Sequence, residues 1–335
     1  MSDNHTRSLA MVPGGAAPRR PAGREPVTKR RGAIKKRVSG ILAALATAAA
    51  ASAGAVASAA PAHNAKLLTA EEASKSPGPP ETAAGTFTIP SALARRVEDV
   101  PLDDLVTQAM AAHKAGGAGL NVRLAEKLPA SNPLLLGKGK PEIVFLGAEY
   151  CPYCATERWS LVMALSKFGN FSHLAGTTSS STDVSPSTPS FSFYGASYSS
   201  ARLVFLGDEM FNNHGPSAAG YPALQAPDAL ETMLLSKYDT PPYVPAGDSG
   251  GIPFIYLAGR FVLIGPQWLT SQLSRVSWAE AASTLTSGTS ALSKQAEAAA
   301  GFLVGDICAI TRAEPASVCT HVPSALLGAS TSVTG

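Results

Sequence analysis

Apolar and polar positions change period several times along this chain, and each change marks an element. Leu102, Leu105, Val106 and Met110 recur at helical spacing and predict a helix over Val97 to Lys114, stopped by Gly116-Gly117. A short strand is expected around Leu134 to Leu136. Pro141 then precedes Glu142-Ile143-Val144-Phe145-Leu146-Gly147, a short apolar run rich in β-formers, which is the pattern of a buried central strand. From Cys154 the period becomes helical, with Trp159, Leu161, Val162, Leu165 and Phe168 on one stripe and Gly169-Asn170 closing it.

Thr177 to Ser190 is polar and rich in Ser and Thr, and reads as a surface loop. Phe191 to Tyr194 and Ala201 to Leu206 read as strands, and Ala226 to Tyr238 as a helix. After a Pro/Gly loop over Pro241 to Gly251, Phe254-Ile255-Tyr256-Leu257, a turn at Ala258-Gly259-Arg260 and Phe261-Val262-Leu263-Ile264 form a hairpin signal. Helices are expected at Trp278 to Leu285 and Ala291 to Ile310. The elements make an α/β domain.

Composition sets the domain limits. The first 90 or so residues are dominated by Ala, Pro, Gly, Ser and basic residues and lack the aromatic and β-branched side chains that fill a core. The expected organisation is a basic N-terminal segment (1–37), an uncharged segment (38–60), a flexible linker (61–90), the domain (91–322) and a disordered tail (323–335). The net charge of +3 conceals a division: 10 Lys and Arg face 2 acids up to Arg37, and 17 face 22 beyond it. The folded part is mildly acidic, which argues against a nucleic-acid partner.

Between Val38 and Ala65 there is no Asp, Glu, Lys or Arg, and this run follows Lys35, Lys36 and Arg37. It reads as a transmembrane anchor with its basic end in the cytoplasm, as a cleaved export signal ending at Ala57-Ser58-Ala59, or as a disordered tail. The first reading makes the membrane a partner through this segment and places the protein at the cell membrane, single-pass, with the domain extracytoplasmic. The second makes the protein secreted.

The candidate chemistry lies at Cys151-Pro152-Tyr153-Cys154, between the buried strand and the helix. A cysteine at a helix start meets unpaired backbone N–H groups and the positive end of the helix dipole, which favour a thiolate. Pro152 suits the first helical turn because its missing N–H has no partner there. Cys151 is the expected nucleophile and Cys154 the resolving thiol, with Tyr153 between them adjusting the potential. Zinc would require two further ligands at matching spacing, and Cys308 and Cys319 do not provide it; no metal or cofactor is expected. Cys308 and Cys319 read as a structural disulfide in an oxidising compartment, with a second redox pair as the alternative.

These residues resemble the thioredoxin superfamily, and Gly147 to Cys154 is similar to its active-site turn. The resemblance implies a thioredoxin-like fold: a central mixed sheet flanked by helices, here with an insertion and extra C-terminal helices. It also implies a cis-proline opposite the cysteines. Pro253 is the match, leaving Ile252 to pair with a substrate peptide. Pro141 through Arg158, Gly251-Ile252-Pro253-Phe254 and the late cysteine pair further resemble the family called domain of unknown function 929, which brings no substrate. The acid usually found six residues before the first cysteine is Phe145 here, so Glu149, with Glu157 second, is the candidate for proton transfer; the alternative leaves both as solvated surface groups. The expected function is an extracytoplasmic oxidoreductase of protein thiols or disulfides with an unidentified redox partner. The alternatives are a non-catalytic binding module and a glutaredoxin-like reductase.

Overall fold

In the computed structural model, residues 7–10, 85–115, 121–215, 220–245, 249–269 and 271–332 are described. By contacts the chain divides into Met1–Val12 with Leu67–Gly335, and Pro13–Lys66; every described residue falls in the first. Strands β1 (Arg7–Ala10) and β2 (Thr86–Phe87) come first, then helices α1 (Ser91–Glu98) and α2 (Leu102–Lys114). Strands β3 (Ala125–Lys127), β4 (Leu134–Gly137) and β5 (Lys140–Gly147) lead into α3 (Pro152–Leu165). Five strands follow: β6 (Asn170–Ser172), β7 (Ala175–Thr178), β8 (Pro189–Ser192), β9 (Ser197–Ser199) and β10 (Val204–Glu209). Helix α4 (Ala229–Tyr238) precedes the hairpin of β11 (Phe254–Leu257) and β12 (Phe261–Ile264). Helices α5 (Trp278–Leu285), α6 (Ala291–Ile310) and α7 (Ala316–Cys319) and strand β13 (Ser330–Ser332) complete it.

The main sheet is mixed and runs in the order β1-β4-β5-β11-β12-β3-β13, with β10 also on β5. Strand β5 is central: β10 pairs with it in parallel and β11 antiparallel. Its side chains alternate between two cores as the pleat requires. Ile143 and Phe145 join Ile255, Leu257 and Leu263 under α2, α3 and α6, while Val144 and Leu146 join Phe254, Tyr256 and Val262 under Leu234 and Tyr238 of α4. A sheet covered on both faces explains why these strands read as continuous apolar runs.

Helix α3 is enclosed on all sides rather than along one stripe. From Cys154 to Leu165 every residue is buried, including Thr156, Glu157, Arg158 and Ser160. The polar groups are hydrogen-bonded to the walls: Ser160 Oγ donates to Ala296 O (3.2 Å) and accepts from Trp268 Nε1 (2.9 Å), and Trp159 Nε1 donates to Pro189 O (3.0 Å). One wall is the Ala-rich run of α6, whose Gly301 admits α2 so closely that a Cβ there would lie 2.2 Å from Leu105 O.

Several expectations are corrected. The helix expected over Val97 to Lys114 is two helices, because Pro101 has no N–H to continue the first and restricts Val100 before it; Asp99 caps α1 instead, bonding Arg95 O. The loop expected over Thr177 to Ser190 begins in β7 and ends in β8, and Thr177, Ser179, Ser180, Thr188 and Ser190 are buried. Their hydroxyls find partners inside, as when Ser190 Oγ donates to Ala155 O, so polar composition misled. Thr86 and Phe87, placed in the linker, pair with β7, and Arg7–Ala10, placed in the basic segment, pairs with β4. The tail expected to be disordered after Val322 forms a 3₁₀ turn at Ser324–Leu326, with Leu326 fully buried, and then β13, which pairs with β3.

The transmembrane helix, and with it the single-pass location and the membrane partner, is also corrected. Among the described residues no helix is long and apolar enough to cross a membrane. Residues 38–60, on which the expectation rested, lie outside the described residues, and the secreted alternative gains nothing from the structure. The physical weakness was compositional: the run is mostly Ala, which contributes far less to insertion than Leu or Ile.

Cys308, near the end of α6, is bonded to Cys319 at the end of α7, 11 residues on. Closing a loop of that length stabilises by roughly 3 kcal/mol in the chain-entropy model. The double replacement Cys308→Ala, Cys319→Ala is accordingly expected to lower the free energy of urea unfolding by about that amount. An unchanged midpoint would show that the bridge contributes nothing.

Candidate active site

The end of β5 delivers the chain to the N-terminus of α3, and Cys151 is the residue between them. It caps the helix in extended conformation, with Pro152 in the first turn, and its Sγ accepts the Cys154 N–H at 3.2 Å. Both thiols are free. Cys151 is 3% exposed and Cys154 wholly enclosed, so only the first sulfur meets an incoming group. Gly147 makes room for the second: a Cβ there would lie 2.6 Å from the Phe145 ring and 3.3 Å from Cys154 Sγ.

From the other side the loop before β11 closes on the first sulfur. Cys151 Sγ donates to Ile252 O at 3.8 Å, and the Ile252–Pro253 peptide is cis. The expected residues Cys151, Cys154, Ile252 and Pro253 are thus brought together, with Pro152 buried and Tyr153 40% exposed on the surface beside them. Cys308 and Cys319 form their own bond and leave this centre as a single pair.

Sequence reasoning missed the charged group beneath the thiols. Arg158 follows Cys151 by seven residues and Cys154 by four, spacings that place all three on one helix face. Its guanidinium is fully buried, lies 5.7 Å from the centroid of the Phe145 ring, and donates through Nη2 to Ala148 O at 2.8 Å. It grips Glu209 in a bidentate pair, Nε to Oε1 at 2.8 Å and Nη2 to Oε2. Glu209 ends β10, and the parallel register sets it opposite Gly147 at the end of β5. Phe145 therefore does not leave the site without an acid. The aromatic ring supports the cation, and the carboxylates come from elsewhere.

Glu149 is the second of them. The bland expectation that Glu149 and Glu157 are surface groups is overturned, since both are fully buried. Ser192 Oγ donates to Glu149 Oε1, while Glu149 Oε2 lies 4.0 Å from Arg158 Nη2 and has no hydrogen-bond partner among the described residues. Two carboxylates share one guanidinium, and the imbalance falls on Glu149. Burial first and the charge of Glu209 second push its carboxyl up to about 8, against the pull of Arg158 and the Ser192 and Thr177 hydroxyls. Glu157 faces another way: its Oε2 accepts the Gln267 N–H at 2.8 Å, and burial raises it to about 7.

The two thiols are driven apart. For Cys151 the largest influence, burial, would raise the thiol; hydrogen bonds from the Cys154 thiol and N–H, then the Arg158 charge and the Tyr153 N–H, outweigh it and hold it below its ordinary value. Cys154 is raised well above that value by burial, by its hydrogen bond to Cys151 and by the charge on Cys151, with Arg158 opposing. Burial also works against the charge on Arg158, but Glu209 and then Glu149 more than restore it. The result is one sulfur, 3% exposed, whose thiolate is favoured, and one wholly enclosed sulfur behind it that is held in the protonated form. Among the described residues no cluster of His, Cys, Asp and Glu has the arrangement of a metal site.

Residues 127–219, which run from the end of β3 past β10 and include both cysteines, match the model of a family described as Domain of unknown function (DUF929). No curated protein and no solved structure matches the chain.

Proposed function

We propose that this domain is a thiol–disulfide oxidoreductase of thioredoxin-like fold, acting on protein cysteines through a mixed disulfide. The observation that carries the reading is the geometry of the pair: Cys151 caps α3, its Sγ accepts the Cys154 N–H at 3.2 Å and faces Ile252 O across a cis-proline, an arrangement that favours the Cys151 thiolate and keeps Cys154 protonated. The thioredoxin-like assignment draws support from a C-x-x-C between a central strand and a buried helix, faced by a cis-proline that opens an antiparallel hairpin.

In the reducing direction the Cys151 thiolate attacks one sulfur of a substrate disulfide. That S–S bond breaks, a Cys151–substrate disulfide forms, and the second substrate sulfur leaves as a thiolate that takes a proton from water. Bond formation removes the negative charge of Cys151 and its role as hydrogen-bond partner, two of the four influences that keep Cys154 protonated, burial and the charge of Glu209 being the others. The charge of Arg158 then favours the Cys154 thiolate, whose proton passes to water; this thiolate attacks Cys151 Sγ, the Cys151–substrate bond breaks, and the substrate sulfur leaves as a thiolate that takes up a proton. Two electrons have passed from the dithiol to the substrate disulfide, and the same steps run backwards oxidise a substrate dithiol.

The test is a trap. With Cys154→Ala the mixed disulfide has no internal exit, and the variant is expected to accumulate adducts through Cys151 that dithiothreitol releases. If no adduct forms and the unaltered protein fails to catalyse insulin reduction by dithiothreitol, the oxidoreductase reading is wrong.

A further inference from the structure

Seven large apolar side chains are more than a third exposed among the described residues, and three of them, Tyr153, Val184 and Leu269, line a single cavity of about 300 Å³. Val184 and Leu269 are the most exposed of the seven, at 57% and 59%. Pro152, Thr156 and two serines complete the lining, and none of the lining residues is charged. The volume of this concavity stands at the lower end of the range for ligand pockets, suited to a side chain rather than a large ligand.

Hydrogen bonds hold one wall to the residue before Cys151 and the other to α3. The loop that carries Val184 is closed by Ser179 N to Thr188 O (2.8 Å) and Ser187 N to Ser180 O (3.0 Å), and tied down by Ser180 N to Tyr150 O (2.8 Å), the residue before Cys151. Its far side is held by Ser274 Oγ to Pro186 O (2.7 Å) and Arg275 N to Ser187 O (3.2 Å). On the other wall, Trp268, next to Leu269, accepts Thr156 Oγ1 through its carbonyl (3.3 Å) and donates its indole N–H to Ser160 (2.9 Å), both residues of α3. The residues around both walls of the cavity are therefore tied to the neighbourhood of Cys151.

We infer that the space between Tyr153, Val184 and Leu269 is a specificity pocket that receives an uncharged, apolar side chain adjoining the reacting cysteine of an extended polypeptide. This rests on the oxidoreductase reading and names its substrate class. The peptide backbone lies toward Ile252, whose carbonyl faces Cys151 Sγ, and the neighbouring side chain fills the pocket. A charged side chain there loses water and meets no opposite charge in the lining.

The test uses the full chain, reduced, in single turnover. Short peptides carry one cysteine as a mixed disulfide with nitrothiobenzoate and Leu, Phe, Asp or Lys beside it. Cys151 attacks the peptide sulfur, coloured nitrothiobenzoate leaves as the better leaving group, and Cys154 then releases the peptide thiol, so the dithiol is oxidised and the mixed disulfide reduced to two thiols. The Leu and Phe peptides are expected to react about tenfold or more faster than the Asp and Lys peptides. The double substitution Val184→Lys, Leu269→Lys should reverse the order so that Asp leads, while Val184→Leu keeps the original preference. Four peptides reacting within about twofold of one another, or an order unmoved by the lysines, while the symmetrical nitrobenzoate disulfide is reduced at a normal rate, overturns the pocket and leaves the thiol chemistry standing. If neither that reagent nor any peptide reacts, the oxidoreductase reading falls and the pocket with it.

Discussion

Replacing Arg158 by Leu is expected to destabilise the domain by about 3 to 5 kcal/mol, the cost of leaving one member of a buried ion pair uncompensated. Glu209 would lose two charge-assisted bonds in a place without water and would keep only the Phe193 N–H, at 3.3 Å from Oε1. The double variant Arg158→Leu, Glu209→Leu should recover most of that loss, because an apolar pair of similar volume faces no desolvation. Urea unfolding of the single and double variants measures both. A single variant within about 1 kcal/mol of the original protein would mean that the pair is not the buried unit described. In the folded double variant the pH midpoint for alkylation of Cys151 by iodoacetamide should move up, since a cation that favours the thiolate has gone.

The second large effect is on the dependence of stability on pH. Glu149 keeps its proton in the folded chain up to about pH 8, raised first by burial and then by Glu209, whereas in the unfolded chain it ionises near 4.5. Its contribution is therefore fully present below about 4.5 and is lost as pH rises, at up to about 1.4 kcal/mol per pH unit, until the folded carboxyl ionises. Glu149→Gln supplies a neutral group in the same place and removes this dependence. Relative to the original protein, the variant should gain stability steadily between pH 5 and pH 8 in urea melts. A difference between the two proteins that stays constant over that interval would show that Glu149 is already ionised at pH 5.

What the sequence made legible follows from the range of the interactions involved. Strand β5, helix α3, the β11–β12 hairpin and helices α5 and α6 are set by local period, and the bounds expected for α5 and α6 coincide with those observed. The hairpin turn at Ala258 and Gly259 has both residues at positive φ, as its short connection requires. The cysteine motif was legible for the same reason, as one switch from strand to helix. Arg158 was within reach, because its spacing from Cys151 and Cys154 is a local signal. Glu209 was not: the strand expected around Leu206 stops short of it, and its place beside Arg158 depends on β10 pairing in parallel with β5 in one register. The burial of Glu149 and of the serines in the 177–190 loop was hidden for a related reason. Their polarity argues for water, and only the tertiary structure shows that protein atoms replace it.

The enclosure of α3 bears on how this molecule could change over evolutionary time. Between Cys154 and Leu165 each side chain abuts a wall, so a replacement there is felt first as a packing defect, and selection on folding filters it before any effect on chemistry is seen. The exposed side chains of Tyr153, Val184 and Leu269 bear no such burden. Descendants of this chain would thus inherit a nearly frozen α3 and a rim whose side chains are free to drift, and the surface beside the cysteines could change without reopening the problem of how the protein folds.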